Sequence, residues 1–185
     1  MKKFPLFIIG FLLLMRLLEP LTSPAINNSD GGFSRYEEFY SLEKNSLDYL
    51  CLGTSLSYID VNPIQIYAYT GYRGYTLSSP AQSMQISYYW LKEALKRQKP
   101  QYVFLEVGSL IYAEDQLYEN FWTANLLQMH FSPLKIEAIL NCSTSTEMKN
   151  SLIFPLYRFH SRWNQLSKAD FQFSDEQNNF KGSRT

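Results

Sequence analysis

The run Cys51-Leu52-Gly53-Thr54-Ser55-Leu56-Ser57 follows directly on the mainly apolar stretch Leu47-Asp48-Tyr49-Leu50. A buried strand that ends in Gly-Thr-Ser delivers a serine hydroxyl to the carboxyl edge of a sheet, and ligands bind at that edge in open α/β sheets. Ser55 is therefore the candidate nucleophile, and the matching chemistry is attack on an acyl carbonyl. Such a serine needs a base within hydrogen-bond reach. The histidines are His130 and His160, both far downstream. The competing role for Ser55 is a hydroxyl that caps the turn after the strand. Glu106 ends a later apolar run and falls at the same edge, as an acid near the crevice or as the polar end of its strand. Arg73 falls at the opposite edge.

The elements that position these residues follow from periodicity and caps. Leu47 to Leu52 reads as a first strand. Asn62-Pro63 starts a helix, with Asn as N-cap and Pro at the first helical position. That helix runs to about Thr70 and stops at Gly71. A second strand lies within Tyr72 to Leu77, and Ser78 to Ser83 is a loop. Met84 to Gln98 carries Ile86, Tyr89, Trp90, Leu91, Ala94 and Leu95 at helical spacing. Pro100 ends it. Tyr102 to Val107 is a third strand. Strand–helix–strand–helix–strand with short connections implies a parallel sheet with right-handed crossovers. Ser55 and the Ser78 to Gln82 loop then open on one crevice. From Gly108 to Asp170 the pattern is helical, with starts at Ser132-Pro133 and at Ser145 or Thr146, and it reads as an insertion over that crevice. Residues 171–185 are polar and read as a disordered tail.

Composition narrows the function classes. The chain has 185 residues, 45% hydrophobic and 16% aromatic, enough for one domain with a real core. A formal net charge of +0 carries no sign of nucleic-acid binding. Cys51 and Cys142 read as small buried hydrophobes, with a disulfide between them left open. Two cysteines and two histidines at these spacings make no metal site, so none is expected. Met1-Lys2-Lys3 followed by the apolar run Phe4 to Met15, then Leu17 and Leu18 past Arg16, fits a secretory signal or an uncleaved signal-anchor. Residues 1–22 are thus expected to anchor the chain in the cytoplasmic membrane, with the rest outside. Residues 23–46 form a linker or arm.

These residues together resemble the SGNH/GDSL hydrolase superfamily, in its membrane-anchored, envelope-facing branch related to D-alanine transfer and alginate O-acetylation proteins. Leu52 to Ser57 matches the nucleophile block, Tyr75 to Gln82 the second block, and Ser87 to Leu95 with Gln98-Lys99-Pro100 the following helix and strand entry. The resemblance covers about Asp48 to Val107 well, and extends more loosely to Phe171. It implies a flavodoxin-like three-layer α/β sandwich and a Ser–Asp–His machine that needs no cofactor. Ser55 takes the nucleophile position, and its N–H is one oxyanion donor. Ser78 falls at the second block's glycine position, where its N–H donates. Gln82 offers an amide from the neighbouring loop, an inference from position and not a family match. The family's Asp-x-x-His is missing from this sequence, so the expectation is a partial domain over 47–170, a member that stops before its histidine block. The expected function is an esterase or O-acyltransferase on acyl groups of a cell-envelope polymer, impaired for that reason. The alternatives are a non-catalytic envelope protein binding carbohydrate or a partner, or an inactive fragment. An incomplete sheet also predicts self-association through an exposed edge.

Overall fold

The computed structural model describes residues 3–22, 34–112, 119–155, 157, 161 and 164. The expected linker around Asn27 to Gly32, His160 and the tail 171–185 lie outside the described residues. Three parallel strands form the sheet: β1 (Tyr49–Gly53), β2 (Gly74–Ser78) and β3 (Tyr102–Leu105), in the order β2-β1-β3. Tyr49 pairs with Gly74 and Tyr102, and Leu52 with Leu77 and Leu105. The helices are α1 (Lys3–Thr22), α2 (Ser34–Ser41), α3 (Ser55–Asp60), α4 (Pro63–Thr70), α5 (Met84–Ala94), α6 (Glu119–Gln128), α7 (Pro133–Cys142) and α8 (Thr146–Ile153). The α/β class with a parallel sheet is as the sequence implies.

Local chemistry explains several boundaries. Asn62 Oδ1 accepts from the N–H groups of Ile64 and Gln65, Pro63 opens α4, and Gly71 closes it in the left-handed conformation at φ 76°. Ser132 and Ser145 cap α7 and α8 with their hydroxyls. Helix α5 ends at Ala94, four residues before the sequence expectation. The reason is Gln98, which is fully buried. Its Oε1 accepts from Ser46 N–H at 2.9 Å and Leu47 N–H at 3.3 Å, and its Nε2 donates to Glu43 O at 2.8 Å. The last turn tightens before it, with Lys96 N–H on Glu93 O and Arg97 N–H on Ala94 O, and the amide is held against the loop entering β1. Strand β3 likewise ends at Leu105, and a 3-10 turn (Val107–Tyr112) follows where the strand was expected to continue.

The core lies on one face of the sheet. Leu50, Leu52, Tyr75 and Leu77 pack with Tyr36 and Phe39 of α2 and Ile86 and Trp90 of α5. Trp122, Leu126, Ile139, Met148 and Leu152 from α6, α7 and α8 belong to the same cluster. These helices are therefore part of the main core and not a separate cover over the crevice, because their buried faces pack on and around α5. Cys51 and Cys142 are both buried and unbridged. Helix α1 exposes every described side chain from Phe7 to Leu14. Among the described residues, no helix is long and apolar enough to cross a membrane.

Candidate functional site at the carboxyl edge

Ser55 stands where the strand-ending pattern puts it. It is the first residue of α3, immediately past the carboxyl end of β1. The cap itself is the neighbouring Thr54, whose Oγ1 accepts from Leu56 N–H at 3.4 Å. Ser55 is half-buried, and among the described residues no hydrogen bond occupies its hydroxyl or its N–H.

Glu106 fixes this corner. Its Oε2 accepts from Thr54 Oγ1 at 2.6 Å and Thr54 N–H at 3.0 Å, and its Oε1 accepts from Gly108 N–H. One carboxylate thus ties the turn after β1 to the turn after β3. Burial pushes the Glu106 carboxyl up, but the bonds from Thr54 and Gly108 outweigh it and hold it below the ordinary carboxylate range. Gly53 makes the approach feasible. A Cβ there would stand 2.4 Å from Glu106 Cβ, and its φ of 156° suits glycine. Of the two readings for Glu106, a strand-end residue and an acid beside the crevice, its bonds make it a clamp under the Ser55 turn.

The second predicted block is at the same edge but serves the interior. Ser78 pairs with Gly53 at the end of β2 and is fully buried. Gln82 is also fully buried, and its Nε2 donates to Leu77 O at 3.3 Å and Ser87 Oγ at 2.9 Å. Both amide donors are consumed, so Gln82 does not reach the crevice as an oxyanion donor. Its Oε1 accepts from Asn125 Nδ2 at 3.0 Å and Tyr36 OH at 3.3 Å. Asn125 Nδ2 also bonds Tyr36 OH at 2.6 Å and Ser79 Oγ at 2.8 Å, and its Oδ1 accepts from Trp90 Nε1. Trp122 Nε1 donates to Ala81 O at 2.7 Å. This buried polar network holds the loop after β2 in place. Its members lie far apart in sequence, and no local signal could have found it.

His130 belongs to the opposite edge. Helix α5 starts at the carboxyl edge after the Ser78–Ser83 loop and runs back to Ala94, shortly before Gln98, which bonds the loop entering β1. Near its end Glu93 accepts from Tyr40 OH at 3.2 Å, and His130 N–H donates to that same hydroxyl at 3.0 Å. The His130 ring stacks on Tyr40 at 3.5 Å between centroids and 5° between planes. Desolvation in this position holds the imidazole below its ordinary pKa. A five-residue strand separates the two edges, about 16 Å at ~3.3 Å per residue. His130 is therefore no base for Ser55. Arg73 lies at the same amino edge as His130, where its N–H and Nε donate to Asp48 Oδ2 at 2.7 Å and 3.3 Å.

The other face of the sheet carries an apolar groove of about 430 Å³, lined by Cys51, Val61, Ile66, Tyr72, Tyr102 and Phe104 among others. Burial pushes the Cys51 thiol up to about 11, so it is no ready nucleophile. Among the described residues no group of three His, Cys, Asp or Glu side chains stands close enough to hold a metal ion. Compared with known proteins, the chain matches no family model, no curated protein and no solved structure.

Proposed function

We propose that this chain is an envelope-facing α/β protein of the SGNH/GDSL type, held at the membrane by its N-terminal segment, that binds acyl groups of a cell-envelope polymer beside Ser55. The flavodoxin-like three-layer arrangement is part of this proposal. The observation that carries it is the Ser55 turn, a half-buried serine at the carboxyl edge of a parallel sheet, with hydroxyl and N–H both unoccupied among the described residues. An acyl carbonyl resting there would accept from the Ser55 N–H and hydroxyl, while the Glu106 clamp keeps the turn from adjusting. The anchor rests on Lys2-Lys3 ahead of an apolar run and on the exposed apolar side chains from Phe7 to Leu14.

Binding is favoured over cleavage because a serine without a base at hand stays protonated and is a poor nucleophile. His130 stacks on Tyr40 at the opposite edge of the sheet. The second reading, an esterase or O-acyltransferase, is favoured by the same free Ser55 hydroxyl. It requires a base from outside the described residues, from His160 or from another chain, to take the Ser55 proton as the oxygen attacks the acyl carbon.

Titration calorimetry of the full chain in non-ionic detergent, with an O-acetylated polysaccharide and its de-O-acetylated form, tests the binding reading. Binding of the acetylated polymer at least tenfold tighter, abolished by Ser55→Trp in a folded variant, is the expected result. Equal affinity for the two polymers, or no binding to either, overturns it.

A further inference from the structure

Charge divides the molecule into two unlike sides. From Tyr49 to Leu91 the sequence carries only Asp60 and Arg73 as charged residues, and Arg73 is tied to Asp48. Helices α3 and α4, which pack on the sheet away from the core, come from this stretch. Helix α4 reads Pro-Ile-Gln-Ile-Tyr-Ala-Tyr-Thr, and only Pro63 of it is buried. A helix that meets water on most sides ordinarily turns charged residues outward. This one turns out Ile64, Tyr67 and Tyr69, the last at 82% exposure. The opposite side carries the ion pairs Lys92–Glu137 and Lys96–Glu93 on α5 and α7.

The uncharged side extends beyond α4. Helix α3 adds Leu56 and Ile59, and the groove walls add Tyr72, Tyr102 and Phe104, all about half-exposed. At ~200 Å² for a large side chain, these residues together expose roughly 900 Å². The largest apolar patch on a typical monomer is ~300–600 Å².

Two observations select what covers it. The first is the tether. Residues 23–33 are all that joins α1 to α2, and they span at most ~40 Å. Anchored by residues 1–22, the folded part cannot leave the neighbourhood of the bilayer, which is therefore present at high effective concentration. The second is the chemistry of the face. Tyr67, Tyr69, Tyr72 and Tyr102 each join an apolar ring to a polar tip, the combination enriched where hydrocarbon meets water. The stretch from Tyr49 to Leu91 holds no lysine, and its arginine is spent on Asp48. Such a face gains nothing from anionic headgroups and suits a neutral, zwitterionic surface.

We propose that this face rests on the bilayer, with α4 lying in the plane of the interface and the apolar groove turned toward the acyl chains. The proposal rests on the anchoring by residues 1–22 put forward above. An interfacial helix sinks its apolar side ~5–10 Å into the boundary of headgroups and acyl chains. Leu56 adjoins Ser55, so the contact also brings the Ser55 turn to the level of the headgroups.

The test uses the full chain in phosphatidylcholine vesicles whose lipids carry bromine near the top of the acyl chains, a contact quencher of tryptophan. Tyr67→Trp puts a probe on the face. Leu140→Trp puts one at a site of similar exposure on α7, which packs against α5 on the other side of the sheet. Flotation of the chain with the vesicles reads the anchor separately. The chain is expected to float, and brominated lipid is expected to remove about half of the emission added by Tyr67→Trp but under about a tenth of that added by Leu140→Trp. Adding Ile64→Asp to Tyr67→Trp is expected to reduce the quenching at least twofold while flotation persists. Phosphatidylserine is expected to leave the quenching unchanged. A chain that floats with Tyr67→Trp unquenched overturns the proposal and leaves the anchor standing. Tyr67→Trp shielded from both brominated lipid and aqueous iodide also overturns it, and would assign the face to a second copy. Equal quenching at the two sites contradicts the orientation. A chain that does not float overturns the anchor and the proposal with it.

Discussion

Strand β1 has two neighbours of nearly the same character, and their fates differ. On one side β2, Gly-Tyr-Thr-Leu-Ser, is buried at all five positions. On the other side β3, Tyr-Val-Phe-Leu, is exposed at all four. By composition β3 is the more apolar, and its unbroken run is the pattern of a parallel strand covered on both faces. What separates them is cover. The core face of β2 lies under α2 and α5, and α3 and α4 pack on its other side. Gly74 even lets the Tyr49 ring lie across the backbone of β2, where a Cβ would be 1.9 Å from Cζ. No described helix does this for β3. Apolarity therefore tells which strands want cover, and only the packing tells which have it.

Truncations at matched positions sharpen that contrast most. Leu77 and Leu105 both pair with Leu52, from opposite sides. Leu77→Ala removes a fully buried side chain and is expected to cost about 2–5 kcal/mol. Leu105→Ala, at 43% exposure, is expected to cost under about 1 kcal/mol in dilute solution. Chemical denaturation of the two variants measures both, and equal losses would break the comparison.

The clamp at the carboxyl edge gives a smaller effect, and it ties the turn after β1 to the turn after the open strand β3. In Glu106→Gln one carboxylate oxygen becomes an amide nitrogen that cannot accept. A Thr54 or Gly108 donor loses its partner, at a cost of about 2 kcal/mol. The pH dependence has a definite sign. Because the folded Glu106 carboxyl titrates below its unfolded value of about 4.3, its stabilisation is complete above that value and is lost as pH falls through the depressed folded one. Wild type is expected to lose more stability than Glu106→Gln between pH 5 and the acid limit. Parallel acid profiles would remove Glu106 from the account.

Much of the frame was legible because its signals are local. Asn62, Pro63 and Gly71 bracket α4 with their own side chains and backbone conformation, and Ser132-Pro133 does the same for the start of α7. The strand–helix alternation carried the parallel sheet. The early end of α5 was not legible, since it depends on Gln98 reaching back 51 and 52 residues to the loop before β1. The role of Gln82 was misread for a related reason. Its position in the loop suggested an exposed amide, whereas partners 43 and 46 residues away draw it inward. The edge serine itself was legible from Gly53-Thr54-Ser55. The carboxylate clamp was not, because Glu106 ends a strand and nothing in its neighbours announces Thr54 as its partner.

The central claim is that Ser55 stands at the carboxyl edge as a binding serine without a base. Labelling of the folded full chain by a serine-reactive fluorophosphonate, beside Ser55→Ala, tests it most directly. The account predicts no labelling above the Ser55→Ala background. Labelling of wild type that vanishes in Ser55→Ala would contradict it, and would show a base reaching Ser55 from residues other than His130.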